Sequence, residues 1–404
     1  MSLPPPLPLS EAWARLLDAA EPLGAEEVPA EQAVGRYLAG DLHARRTQPA
    51  ADLSAMDGYA IRAGDERGPW TVVGDSAAGH PYPHEPAPGE AVRLSTGALM
   101  PPGTALVLVQ ENASRAGASL SLNGAGAPSP AHIRRTGFDF RAGDVVLPAG
   151  IRIGAGQLAA AISAGHGVLT VGRLPRVAIL DSGDELASDP AMCLAHQIPA
   201  SNGAMLAAMC APLAASVTRI GPVADEPAAL ASALGQAREA DVLVTSGGVS
   251  VGDHDLVRPA LETWSATIDF WRVAIKPGKP LLVARRGEQW ILGLPGNPVS
   301  SYVTAFLFVL PLLRRLAGAS RESALSAALT APLAGALPAT GNRREFVRAQ
   351  LDPGGSLVPL GQQDSSALAT LAVANALIDR ATGSPAAAPG DTASFYWLPN
   401  GGIA

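Results

Sequence analysis

Between positions 175 and 316, runs of aliphatic residues alternate with alanine-rich stretches of helical length, and no other feature restricts the fold of this 404-residue chain as tightly. Strands are expected at 176–180, 216–221, 241–245, 267–275, 281–284 and 290–292, with helices at 202–211, 227–237 and from 298 to about 316. Regular alternation of the two predicts a parallel sheet with helices on both faces. Such sheets gather ligands at the carboxyl ends of their strands, so those loops are where chemistry is expected.

The loops are polar and rich in glycine. Asp181-Ser182-Gly183-Asp184-Glu185 follows the first strand, and Ser246-Gly247-Gly248-Val249-Ser250 leads on to Asp255 after the third. Consecutive glycines let backbone N–H groups turn inward as an anion nest, with Ser246 and Ser250 adding hydroxyl donors. Arg272 is expected late in the 267–275 strand, close to the stiff turn Lys276-Pro277-Gly278-Lys279-Pro280, so that three cations form an anion clamp. Lys276 and Lys279 are the only two lysines of the chain, in which arginine supplies the rest of the cationic charge. Leu294-Pro295-Gly296-Asn297-Pro298-Val299-Ser300 opens the last helix, with Pro298 near its first position. Glu185, Asp225 and Asp255 follow strands of the same sheet, and carboxylates beside a phosphate ligand point to Mg²⁺, whose hard shell prefers oxygen. Asp225 and Asp255 also suit helix capping.

Elsewhere the texture changes. A first helix is expected at 10–20, capped by Ser10. Short strands between Gly/Pro turns fill 48–131, and an alanine-rich helix at about 156–164 rejoins the N-terminal segment. The expected division is therefore a discontinuous N-terminal domain (1–47 and 132–172), an inserted β-rich domain (48–131), a sheet domain (173–318) and a C-terminal β-barrel (319–404). The balance of 36 carboxylates against 29 Lys plus Arg argues against a nucleic-acid or anionic-lipid surface. Cys193 and Cys210 have neither zinc nor disulfide spacing, which fits a reducing cytoplasm, and the seven histidines show no metal spacing. The N-terminus lacks the pattern of a signal peptide, and the apolar stretch 299–313 is too short to span a bilayer and is expected as a buried helix.

The strand-end motifs, in this order, resemble the molybdopterin molybdenumtransferases, the MoeA-type family to which the E domain of gephyrin is related. Ser54-Ala55-Met56-Asp57-Gly58-Tyr59-Ala60, Ser95-Thr96-Gly97-Ala98, Arg134-Arg135-Thr136-Gly137-Phe138-Asp139 and Ala374-Asn375-Ala376-Leu377 extend the likeness across the chain. The resemblance implies a multidomain α/β architecture: a MogA-like parallel αβα domain, a β-rich insertion, an elongated N-terminal domain and a C-terminal β-barrel. It implies a homodimer whose cleft lies between the sheet domain of one subunit and the inserted domain of the other. The implied reaction is Mg²⁺-dependent insertion of molybdate into adenylylated molybdopterin with release of AMP, and a molybdopterin adenylyltransferase is the partner it admits. Carried over by residue, Asp57, Thr96 and Asp139 come from the N-terminal domains, and Glu185, Asp225 and Asp255 line the sheet crevice. Pro295 and Pro298 shape the ligand loop; Lys276, Lys279, Ser300, Arg348 and Ser365 form the molybdate site.

Three positions depart from the family pattern. Asp181 adds a negative charge to a loop expected to hold a phosphate, Ala200 stands where the family has Asp, and Asp364 adds a carboxylate beside the molybdate site unless it points away. They leave a second reading open, a non-catalytic molybdopterin carrier or scaffold. A dinucleotide-binding oxidoreductase is disfavoured because the first strand-to-helix turn lacks GxGxxG.

Overall fold

The computed structural model describes residues 5–248 and 256–399. Its αβα region runs β1 (Arg176–Ser182), α1 (Asn202–Cys210), β2 (Ser216–Val223), α2 (Pro227–Gln236), β3 (Val242–Ser246), α3 (Val257–Thr263), β4 (Thr267–Trp271), β5 (Ile275–Lys276), β6 (Leu282–Arg286), β7 (Gln289–Leu294) and α4 (Pro298–Leu316). Six of these strands form one sheet in the order β2-β1-β3-β7-β6-β4. The first four are parallel, whereas β6 runs antiparallel to both β7 and β4. The fully parallel sheet expected from alternation is therefore corrected at one edge. Only Gly287 and Glu288 separate β6 from β7, a connection long enough for a hairpin and far too short for a crossover.

Helices cover both faces. Leu206 and Cys210 of α1 and the length of α4 pack with Val177, Ile179 and Val244 on one side. Leu230 and Leu234 of α2 and Val257 and Leu261 of α3 pack with Leu180, Leu243 and Ile291 on the other. At 19 residues α4 is the one described helix long and apolar enough to cross a membrane, yet it lies inside the protein core. It contains a π turn at Ala305–Val309, where the Trp13 indole N–H donates to the Leu307 carbonyl at 2.7 Å. The first helix, Leu9–Ala19, starts one residue earlier than expected, and Pro8 rather than Ser10 precedes it, with no side-chain cap.

The expected strand 267–275 is broken. It ends at Trp271, because Arg272 takes a left-handed φ of 76° and turns the chain out of the sheet. The chain then forms β5 beside the C-terminal module, where β8 (Leu329–Pro332), β9 (Arg344–Leu351), β10 (Leu357–Pro359), β11 (Ala376–Arg380) and β12 (Thr392–Trp397) lie in the order β5-β9-β11-β12-β8, with β10 also on β9. A bridge between Leu333 and Leu357 links the ends of β8 and β10, and the Ala334 N–H donates to the Leu357 carbonyl at 2.8 Å. These links close the ring as a small barrel around Leu357, Ile378 and Phe395.

In the N-terminal half, Ala25–Pro29 pairs antiparallel with Val168–Gly172, and Leu42–His43 with Val145–Leu147, bringing together segments more than 100 residues apart. Between them lies a six-stranded sheet built from residues 58–122 and packed around Trp70, Leu108 and Leu120.

Candidate functional site

The carboxyl ends of β1, β3 and β7 meet at the start of α1. Asp181 and Ser246 are paired in register, so their side chains leave the same face of the sheet, toward α1. Asn202 Nδ2 donates to Ser246 Oγ at 2.9 Å and to the Gly296 carbonyl at 2.7 Å, which ties the loop after β3 to the loop after β7. The Gly247 N–H donates to the Leu294 carbonyl and completes the junction. Gly248 follows Gly247 here, Pro295 is buried behind the loop, and Pro298 fills the first turn of α4. Ser250 and Asp255 lie outside the described residues.

Asp181 is 4 % exposed. Burial pushes its carboxyl up to about 6, against a smaller opposing pull from Arg219 and the Gly203 N–H. The carboxylate sits so close to Gly203 that any Cβ there would overlap it. The added charge is thus folded onto the start of α1, where helix N–H groups favour it, rather than into the loop mouth. Ala200 offers no cap, and Ser201 makes no side-chain capping bond.

The acidic candidates separate into pairs. Glu185 follows β1, and the Asp225 N–H, after the neighbouring β2, donates to Asp184 Oδ1 at 3.0 Å. Asp225 does not cap α2, whose N-cap is Glu226. Among the described residues no three of His, Cys, Asp and Glu converge as a metal cage. Mg²⁺ needs no such cage, because one or two carboxylates with water and substrate phosphate complete its octahedron, and the all-oxygen donors here fit that chemistry. Asp57 Oδ1 accepts from both the N–H (2.7 Å) and hydroxyl (3.1 Å) of Thr96, and the backbone bond first of all holds its carboxyl below the usual range. Asp139 stands apart from this pair: its N–H donates to Gln48, at the other end of the ladder that joins Leu53 and Ser54 to Arg134 and Ile133.

The second grouping is a cleft of about 670 Å³ between the turn at 276–280 and the C-terminal barrel. Lys276, Lys279, Ser300 and Ser365 all line it. Gly278, at φ 102°, lets the turn press against Ser300 and Thr304 of α4, because a Cβ there would overlap the Thr304 methyl. Asn297 Nδ2 donates to Ser365 Oγ at 2.9 Å, and the Val299 N–H to the Ser365 carbonyl at 3.0 Å, so the barrel is fastened to the start of α4. Arg348 is 1 % exposed and sits behind this wall. Its guanidinium donates to the Gln362 and Asp364 carbonyls, while Gln363 clasps the Arg348 backbone through both its N–H and its carbonyl. Arg348 therefore holds the loop that presents Ser365. Asp364 turns its carboxylate back to the N–H and hydroxyl of Ser366, at 2.8 and 2.6 Å.

Among the described residues the strand-end junction at Asn202 and the lysine cleft are separate groupings, and the 294–300 segment touches both. None of Ser246, Gly247 and Gly248 lines the cleft. Arg272 is likewise not part of its lining, and its guanidinium stacks over Trp271 at 5.7 Å. The cause is the exit at Arg272, which carries the lysine turn away from the strand ends to the barrel. Sequence reasoning missed Asn202, Asp184, Asn297 and Gln363 as positioning groups, since each acts across 15 to 94 residues of chain. Glu345 was also missed, although it lines the cleft beside Arg343, Phe346 and Val347.

Comparison with known proteins covers nearly the whole chain. Residues 7–165 match the model of the MoeA N-terminal region (domain I and II), residues 178–315 that of a probable molybdopterin binding domain, and residues 330–398 that of the MoeA C-terminal region (domain IV). The chain is 35 % identical to molybdopterin molybdenumtransferase 2 of Mycobacterium tuberculosis over 87 % of its own length and 90 % of the relative's. It is 36 % identical to the molybdopterin molybdenumtransferase of Haemophilus influenzae, covering 77 % and 78 %. A solved molybdopterin biosynthesis MoeA protein from Pyrococcus horikoshii superposes with a TM-score of 0.84 at 27 % identity, over 98 % of this chain and 100 % of that one.

Proposed function

The chain belongs to the MoeA family of molybdopterin molybdenumtransferases, and from that membership we propose that it inserts molybdenum into adenylylated molybdopterin, consuming molybdate and releasing AMP in a Mg²⁺-dependent step. The observation that carries the reading is the cleft in which the only two lysines meet Ser300 and Ser365. Molybdate is a tetrahedral dianion, and ammonium groups with hydroxyl donors on two rigid walls are suited to it. The Ser246–Gly248 turn is the proposed seat of the pterin and nucleotide phosphates, with Asn202 keeping the two loops in register. In this reading catalysis is positioning, with the 294–300 segment touching both the strand-end loop and the lysine cleft.

Glu185 and Asp225, with Asp255, are the groups that would hold Mg²⁺. The ion would neutralise phosphate charge and stabilise the departing AMP. In this reading the domains divide at 47/48, 131/132, 172/173 and 318/319, the protein acts in the cytoplasm as a homodimer, and Asp57, Thr96 and Asp139 act from the partner subunit. An adenylyltransferase supplies the substrate.

The test combines purified protein, adenylylated molybdopterin, Mg²⁺ and varied molybdate, and follows AMP. Molybdate-dependent release is expected, with Lys279→Ala shifting the half-saturating molybdate concentration upward at least tenfold. Tight pterin binding without any AMP release would make the protein a carrier instead.

A further inference from the structure

The cleft contains a charge arrangement that the proposed reaction does not use. Register pairs Lys276 of β5 and Arg380 of β11 directly with Glu345 of β9, so the three side chains emerge side by side on one face of the barrel sheet. All three line the cleft. Lys276 Nζ donates to Glu345 Oε1 at 3.2 Å, and the carboxylate side chain is only 19 % exposed. Arg380 is 8 % exposed, donates through Nη2 to the Pro385 carbonyl, forms no ion pair among the described residues, and has Nη1 buried without a partner. Arg343, two residues before Glu345, lines the same cleft. A cation-rich wall therefore holds one inward carboxylate. The other acid of the cleft, Asp364, is occupied by Ser366.

We propose that Glu345 is the selectivity element of the oxyanion seat: it occupies Lys276 in the empty cleft, so that only an anion of higher charge than its own can take that cation over. A monoanion exchanges one carboxylate contact for another of equal charge and gains nothing, whereas a dianion gains from the exchange. The arrangement raises the ligand concentration needed and in return rejects chloride and other abundant monoanions. Glu345 thereby acts through Lys276 and needs no contact with the reacting atoms. This inference rests on the reading of the cleft as the molybdate seat.

The test is calorimetric titration of the full chain with molybdate, with and without chloride. Wild type is expected to bind molybdate with little chloride sensitivity. Glu345→Gln should bind it about tenfold more tightly, as removal of one like charge a few ångströms away implies, and should become chloride-sensitive. Glu345→Asp, which keeps the charge but shortens its reach to Lys276, should gain about threefold and serves if the Gln variant does not fold. In a Lys276→Ala background the Gln substitution should leave chloride sensitivity unchanged, because the cation for which the two anions compete is gone. Equal affinity and equal chloride response in wild type and both Glu345 variants would overturn the inference and leave the molybdate seat standing. Failure of wild type and every variant to bind molybdate at all would overturn the seat and the inference with it.

Discussion

Replacing Asp181 by Asn should stabilise the protein at neutral pH and remove a pH dependence that the native chain carries. The carboxyl is buried, its Oδ1 has no partner, and its pKa stands at about 6 instead of 3.8. Between those values the folded chain retains a proton that the unfolded chain has released. Stability therefore falls as pH rises from about 4 to about 6, and the loss persists above that window. Two pKa units correspond to about 3 kcal/mol at neutral pH. Asn keeps the shape and an acceptor for the Gly203 N–H but never ionises. The variant should gain up to about 3 kcal/mol at pH 7.5 and almost nothing at pH 4. The assay is urea-dependent hydrogen exchange of the β1 and β3 amides at several pH values, which reads this sheet separately from the other modules. A gain of the same size at every pH, or a loss at pH 7.5, would refute the argument that burial of a charge is what the native carboxyl suffers.

Two further substitutions separate the two seats. Asn202→Ala deletes both bonds between the loops after β3 and β7, so the KM for adenylylated molybdopterin should rise about tenfold while the molybdate requirement stays within about twofold; equal rises in both would contradict the assignment. Arg348→Met frees the loop at 362–365, and molybdate affinity should drop about tenfold with no additional effect of Ser365→Ala in that background, as measured by a double-mutant cycle; full additivity would show that Arg348 does not act through Ser365.

The sheet was legible because its central strands are continuous apolar runs and its loops carry glycine, proline and charge at regular intervals. What escaped was the edge. The run through 267–275 has strand composition throughout, and nothing in an arginine announces the left-handed backbone that Arg272 adopts. That one turn also carries the lysine pair to the cleft it shares with Ser300 and Ser365. Ser10 had the composition of a cap, but Pro8 and Leu9 start the helix before it. The glycine and serine of the strand-end loops were readable from residue types alone. The bonds that align those loops were not, because Asn202 reaches partners 44 and 94 positions away, and an amide of that reach leaves no periodic signature. For the same reason the partners of Arg348 escaped: sequence records its charge, whereas only packing reveals that Nη2 donates to two carbonyls of its own chain while Nε and Nη1 stay buried without a partner.

The short strand β5 belongs to the αβα region by chain position and to the barrel by hydrogen bonding. Trimming the protein after Gly318 to isolate a compact pterin-binding fragment would strip Ile275 and Lys276 of their neighbour and expose a bare strand edge beside uncovered apolar surface, a template for self-association. Any shortened version of this protein would need a substitute for β9 before it stayed dispersed in solution.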